Sequence, residues 1–522
     1  SSIMESVING LVEFIHDNSV VILLSVCSVY FTVTYGYVPF NFWKNLGVPQ
    51  VNVRYPFVGN FLESLKVPIH EISVSVYQAF PNERFIGTYN LQQPVLILRD
   101  PDLIEAVLVK DFSSMPNRGN NLDLNGGKFQ KHLVNLKDDQ WKNTRNKLSP
   151  AFTPGKLKGM YAQVMEITES FMTNVLKDFE DGRHFEVHDE VNRLTMDIIF
   201  SCGFGLDIDT INHPESELRT MGLAAFKLTS WTKIVFALRA LPRPVREVIW
   251  KLTPNSGRYD EFFTNIVDSS IKHKKMNNIT RPDFLYLLNE IKEKEEELIK
   301  MKQIDPNDPN TFDHTTLLSN AWGFFVVGFD STSKSISFCL YELSINQDVQ
   351  EKLYKEVSAV QKKHGGFPTY EALHEMVYLD QVIHETLRIH PALPGVSRKV
   401  SKAYRLPGTD VIIPAGANVF LPIYALHHDP LHFPDPETFR PERFDEGKKS
   451  IRKGTYLPFG DGPRYCIGSR FAIMSLKLAI STIVGKYKIS SCKKTEFPMK
   501  YDPKSFLLAP KGGIWVTIQP RS

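Results

Sequence analysis

Residues 459–468 read FGDGPRYCIG, and no other stretch of the chain limits the fold as sharply. At average residue usage, a pattern fixing Phe, Gly, Arg, Cys and Gly at these spacings arises by chance roughly once in many thousands of chains. Gly460 and Gly462 permit a tight backbone turn that other residues resist. The next run, IGSRFAIMSLKLAISTIVG, has helical period, so Cys466 stands at a helix start, where N–H groups and the helix dipole favour a thiolate. Each position has a task if Cys466 ligates a haem iron. The glycines fold the chain beside a flat macrocycle, Gly468 lets the helix come close, and Arg464 holds a propionate. A cysteine buried for packing alone needs none of these companions.

Composition agrees with a large protein that keeps its thiols reduced. The 522 residues are 42% hydrophobic and 11% aromatic, enough for a sizeable core, and the formal charge of +3 implies no nucleic-acid affinity. The five cysteines (Cys27, Cys202, Cys339, Cys466, Cys492) are widely spaced and form no disulfide framework. From Asn18 to Trp43 no residue is charged, which supplies a membrane span of about 20 residues. Glu5, Glu13 and Asp17 precede the run, and Lys44 and Arg54 follow it, so the large body is expected in the cytosol. Pro49 and Pro56 then favour a stiff connection. The expected division is a tail and anchor at 1–38, a proline-containing hinge at 39–60 and a haem domain at 61–522.

The fold class expected is mainly α with small β-sheets (α+β), preceded by one transmembrane helix. Helical periodicity covers about 155–180, 187–203, 315–346, 347–364, 370–390 and 467–487. Strand-like patches are RFIGTYN, PVLILRD, GTDVIIPAGANVFLPI and GGIWVTIQ. KEKEEELIKMKQIDPNDPN, at 292–310, reads as a solvated helix and loop. His427, His428 and His432 lie close in sequence, but no pair of cysteines or HExxH accompanies them as a zinc site would require. FKLTSWTKIVFALRALPRPVREVIW, at 226–250, mixes apolar and basic residues in a pattern suited to a membrane surface.

With these motifs in place the sequence resembles the cytochrome P-450 monooxygenases of the microsomal kind, from anchor to final strand. FGDGPRYCIG matches the family's signature loop, ETLR (385–388) its Glu-x-x-Arg pair, FRPERF (439–444) its second arginine motif, and WKNTR (141–145) its Trp-x-x-x-Arg segment. NFWKNLGVP and FSSMPNRG are similar to the arthropod detoxifying branch. Glu-x-x-Arg occurs four times, at Glu180, Glu190, Glu385 and Glu437, but only the Glu385 copy sits on a helical run upstream of the cysteine loop. Its implied role is a buried ion pair extended by Arg443, which is scaffolding.

The resemblance implies heme b (iron protoporphyrin IX) ligated by Cys466, with Trp141, Arg145, Arg398 and Arg464 around the propionates and Arg118 as a further candidate. It places VGFDST (327–332) over the oxygen site, with Asp330, Ser331 and Thr332 as the proton-handling groups. Two positions depart from the family: Val327 stands where a small residue is usual, and Ser331 where threonine is usual. Serine keeps the hydroxyl but loses the β-branch that restricts rotamers. The implied chamber is walled by 115–135, Phe324–Ser331, ALPGV (392–396) and SFLLA (505–509), and its ligand is apolar. The implied reaction inserts one oxygen atom of O2 into an apolar small molecule, a xenobiotic or an endogenous lipid-like compound. No GxGxxG follows a strand, so electrons come from a separate NADPH-cytochrome P-450 reductase, with cytochrome b5 as a second donor. Lys137, Lys142, Lys147, Lys448, Lys449, Arg452 and Lys453 are the expected docking cations. The implied location is the endoplasmic reticulum membrane. The alternatives are an oxygen-independent hydroperoxide-rearranging haem enzyme and a non-catalytic membrane-tethered haem-binding or sensor protein.

Overall fold

The computed structural model describes residues 18–521 except 61, 64–66, 120–128, 225–255, 282, 367, 447–450 and 504. The interfacial stretch 226–250, Lys448, Lys449 and part of the 115–135 wall lie outside these residues. The charge-free N-terminal run is helical. Helix α1, Ser19–Phe31, continues through a wider turn at Thr32–Tyr37 and a tighter one at Val38–Asn41 into Phe42–Asn45. The whole stretch Ser19–Asn45 is long and apolar enough to cross a membrane. Val20, Leu24, Val29 and Phe31 project outward without protein cover. The lower end behaves differently. Phe40 and Trp43 are buried, and the Trp43 indole donates to the Thr88 carbonyl at 2.9 Å. Gly87 provides the room, because a Cβ there would overlap the Trp43 ring. The proline-containing connection is thus fastened to a sheet, with Gly87 N–H reaching the Pro49 carbonyl at 2.7 Å.

That sheet holds β1 (Phe85–Asn90), β2 (Gln93–Leu98), β7 (Asn418–Leu421) and β4 (Val396–Lys399) in the order β1-β2-β7-β4. β2 and β7 run parallel with Leu96 opposite Val419, and the outer pairs are antiparallel. Leu96, Leu98, Val419 and Leu421 are buried in one core cluster together with Trp43. A second sheet orders β3 (Phe185–Glu186), β9 (Trp515–Pro520) and β8 (Tyr487–Ser491), and β5 (Tyr404–Arg405) and β6 (Ile412–Ile413) form a two-residue ladder.

Helices make up the larger core. They include α2 (Asp138–Leu148), α3 (Pro154–Asn174), α4 (Val187–Ile199), α5 (Phe284–Lys300), α6 (His314–Ile345), α7 (Gln347–Lys363), α8 (Val377–Ile389) and α9 (Ser469–Lys486). The periodic segments therefore form as expected, apart from 155–180, whose α-helix ends at Asn174 before a tighter turn at Leu176–Phe179, and 370–390. There the backbone leaves the helical region at Met376, which separates Ala372–Glu375 from α8. α5 ends at Lys300, where the charged run passes into turns.

α6 spans 32 residues, roughly 48 Å, and packs against both α4 and α9. Asp313 caps it by accepting from the Thr316 N–H at 2.7 Å. Several of its hydroxyls can be buried because they bond back to their own helix: Ser333 to Asp330 O, Ser335 to Ser331 O and Ser337 to Ser333 O.

The scaffold under the cysteine loop is an ion cluster. Arg388 donates to Glu385 at 2.8 and 2.9 Å, and Arg443 donates to the same carboxylate at 3.1 Å. Arg388 also reaches the carbonyls of His427 and Pro436. His427 Nδ1 pairs with the Arg388 carbonyl and its Nε2 accepts from Leu457 N–H at 2.9 Å. The imidazole is thereby committed to the backbone, and burial pushes its pKa well below the ordinary value. The other three Glu-x-x-Arg copies lie elsewhere. Only Glu190 pairs with its own arginine, Arg193, at the edge of α4.

Candidate active site

The cysteine loop closes on itself through Cys466 N–H to the Phe459 carbonyl at 3.0 Å. Gly460 and Gly462 adopt φ of 73° and 68°, the left-handed region that side chains disfavour. Gly462 is doubly required, because a Cβ there would run into the Leu108 carbonyl. A Cβ at Gly468 would meet only Phe152, at 3.9 Å, so packing against protein does not demand that glycine.

Cys466 is half-buried and lies two residues before Gly468, the N-cap of α9. Burial raises its thiol pKa. The N–H groups of Gly468 and Ser469 and the guanidiniums of Arg118 and Arg145 oppose that rise. A metal ion would remove the proton outright, since a coordinating thiol is deprotonated.

Cations crowd one side of this cysteine. Trp141 and Arg145 are one turn apart on α2, and Arg464 stacks over the Trp141 ring at 4.0 Å. Arg464 also donates to the carbonyls of Pro116 and Leu136 at 2.9 Å. Burial first, then Arg118 and Arg398, push its pKa down to about 8. Arg398, on β4, is pushed to about 9 by burial and Arg118, and its buried Nε has no hydrogen-bond partner. An arginine does not give up its proton in a protein, so the depression reflects burial first and the mutual repulsion of these guanidiniums second. Asp138 is the acid that offsets it at Arg464, and it already bonds Asn117. The five predicted cofactor residues, Trp141, Arg145, Arg398, Arg464 and Cys466, therefore lie together, with Arg118 among them.

His132, which the sequence reading missed, belongs to the same group. It is buried and its Nδ1 has no partner. Burial and then Arg118 hold its pKa down to about 4, so it is neutral. It packs on α6, where a Cβ at Gly323 would sit 3.0 Å from it. Nothing in its sequence neighbourhood announces this position.

Across from the cysteine, α6 presents Phe324, Val327, Gly328 and Ser331, the i, i+3, i+4, i+7 stripe of one helix face. Val327 is 45% exposed in a helix otherwise mostly buried. Phe324 lies 6.3 Å from Phe471 in the first turn of α9, which joins this stripe to the cysteine side. Gly328 is set by helix crossing as well, because a Cβ there would come within 2.8 Å of Ile199 on α4.

The three predicted proton-handling groups each have a separate partner. Ser331 Oγ donates to the Val327 carbonyl and Thr332 Oγ1 to the Gly328 carbonyl, both at 2.7 Å. Asp330 turns to the flank of the stripe and pairs with Lys334 Nζ at 2.7 Å. Two of the expected chamber walls also meet, through Leu508 N–H to the Ala392 carbonyl at 3.0 Å. Ser505 Oγ reaches Lys334 at 3.5 Å, which ties the second wall to α6.

Comparison with known proteins gives one answer. The sequence profile described as Cytochrome P450 matches residues 49–516. Cytochrome P450 6a2 of Drosophila melanogaster is 34% identical over 489 residues, covering 92% of this chain and 95% of that protein. Cytochrome P450 6k1 of Blattella germanica is 35% identical over 497 residues, with 92% and 94% covered. Cytochrome P450 9e2 of the same cockroach is 34% identical over 506 residues, with 92% and 94% covered.

Proposed function

The chain belongs to the cytochrome P450 family and is a haem-thiolate monooxygenase, and from that premise we propose that it uses haem b to oxidise an apolar small molecule, with electrons from NADPH passing through a separate NADPH-cytochrome P450 reductase. The observation that carries the reading is the cluster of Arg118, Arg145 and the buried Arg398 and Arg464 beside Cys466, which among the described residues holds more positive than negative charge. A macrocycle bearing two carboxylates fits it: the orphaned Arg398 Nε gains an acceptor, and neutral His132 adds a further donor. When bound, the haem supplies the oxygen activation, and a thiolate ligand favours O–O cleavage.

The protein's own residues do the rest. Cys466 is the iron ligand, steadied by the N–H groups that open α9. Phe324 and Val327 line the apolar approach and orient a substrate of the same character. Ser331 on the stripe, with Asp330 and Thr332 on either side of it, would handle protons in a site dry enough to limit leakage. The apolar helix Ser19–Asn45 anchors the protein in the endoplasmic reticulum membrane, with the cationic residues after it on the cytosolic side. Cytochrome b5 is a second candidate donor.

Reconstitution tests the reading. Product should form only with O2, NADPH and reductase together, and Cys466→Ala should abolish both turnover and the thiolate-type carbonyl spectrum. A spectrum retained in Cys466→Ala refutes the assignment. Conversion of a lipid hydroperoxide without reductase supports the rearrangement chemistry instead, and haem binding with no turnover supports a sensor.

A further inference from the structure

α6 carries a lysine one turn beyond its acid, and both are buried. The side chains of Lys334 and Asp330 are 6% and 7% exposed, with Nζ 2.7 Å from Oδ2. The spacing is i, i+4 with the acid on the N-terminal side, the better orientation for such a pair. A buried carboxylate with no cation protonates, and a buried ammonium with no anion deprotonates. Each of these two groups therefore sustains the other's charge.

Among the described residues the surroundings supply no substitute cation. From α4, His188 lies close enough to feel both charges, but burial holds its pKa down to about 4, so it is neutral, and its buried Nε2 has no partner. From the 505–509 wall comes only the Ser505 hydroxyl. Ser331 and Thr332 bond their own helix carbonyls and leave the carboxylate to Lys334.

We propose that Lys334 is a positioning residue for oxygen activation: it holds Asp330 ionised and turned down the helix axis, and so sets the share of electrons that end in product. This rests on the proton-handling role proposed for Asp330. The ammonium touches neither substrate nor cofactor and acts only through the carboxylate. Without it, the buried carboxylate faces no cation among the described residues and takes up a proton.

The test uses the full-length holoenzyme with reductase, and the variants Lys334→Met, Lys334→Arg, Asp330→Asn and the double Lys334→Met/Asp330→Asn. Infrared spectra of the resting protein should show a new protonated-carboxyl band in Lys334→Met that shifts in heavy water. The band should be missing from wild type, Lys334→Arg and the double variant. Product formed per NADPH should fall about tenfold in Lys334→Met at neutral pH, less than the roughly 10²–10⁴-fold of a general acid–base group because Lys334 acts only through Asp330. It should recover at high pH, where the lone carboxylate loses its proton again, and Lys334→Arg should behave as wild type. An unchanged infrared spectrum in Lys334→Met overturns the proposal, as does a loss of coupling that is independent of pH. If Lys334→Met does not fold, Lys334→Gln is read by the same criteria. The underlying role of Asp330 fails separately: Asp330→Asn with undiminished coupling removes that role whatever the infrared spectra show.

Discussion

Replacing Glu385 by Gln keeps the shape of the buried ion cluster and removes its one negative charge. Glu385 and Arg388 are 0% exposed and Arg443 is 6% exposed at the side chain, so two guanidiniums would be left facing a neutral amide. Glu385 also accepts the Arg440 N–H at 3.0 Å, and the amide must turn an N–H toward at least one of these donors. Breaking a buried pair by removing one partner costs about 3–5 kcal/mol, set against a total stability of roughly 5–15 kcal/mol for a domain. The strain passes directly to the cysteine loop, because Arg388 holds the His427 carbonyl and His427 holds Leu457 N–H, two residues before Phe459. Denaturant unfolding of the holoprotein, followed by both far-ultraviolet signal and haem absorbance, should therefore show a large loss in the two signals together. The control is Glu442→Gln, which breaks the exposed pair with Lys352 (38% and 55% exposed) and should cost about 0–1 kcal/mol. A Glu385→Gln midpoint no lower than that of the control would refute the claim that this pair supports the loop.

Arg398→Leu, which deletes the guanidinium with the orphaned Nε, should weaken haem retention about tenfold or more, the worth of one charge-assisted hydrogen bond, measured as the rate of haem loss to a scavenging apoprotein. Charge reversal at the exposed Lys142 and Lys453 should slow reductase-supported turnover while peroxide-driven turnover stays nearly intact. The difference should shrink in salt that screens beyond about 10 Å at 0.1 M. Lys147 is not used for this test, since it already pairs with Glu295. His70 is buried against the Tyr424 and Tyr501 rings and burial lowers its pKa to about 4, below the unfolded value of 6.5. Its contribution to stability is therefore complete above about pH 6.5 and is lost as pH falls toward 4. His70→Gln should flatten that part of a stability-against-pH curve, by on the order of 1–3 kcal/mol at the acid end.

The cysteine loop was legible in the sequence because its demands are local. Positive φ at Gly460 and Gly462, and a thiol at a helix start, are properties of adjacent residues, and the pattern states them directly. The long helices were legible for the same reason, since their period follows from which face is buried. The Asp330–Lys334 spacing could also be read as a helical pair, but not its meaning. Whether such a pair is a screened surface contact or a buried one depends on α4 and the 505–509 wall closing over it, and those segments are distant in sequence. Gly328 shows the same limit: its neighbour Ile199 comes from another helix, so the reason for the glycine is visible only once the two helices cross. His132 carried no signal, because an imidazole becomes a candidate ligand contact only when folding strips its partners and sets it beside Arg118. The sequence by itself determined the setting of the cysteine loop, the helical class and the apolar N-terminal run, all fixed by short-range stereochemistry and hydrophobic period. Tertiary packing alone decided which charges are buried and what they face, because desolvation depends on how completely remote segments exclude water.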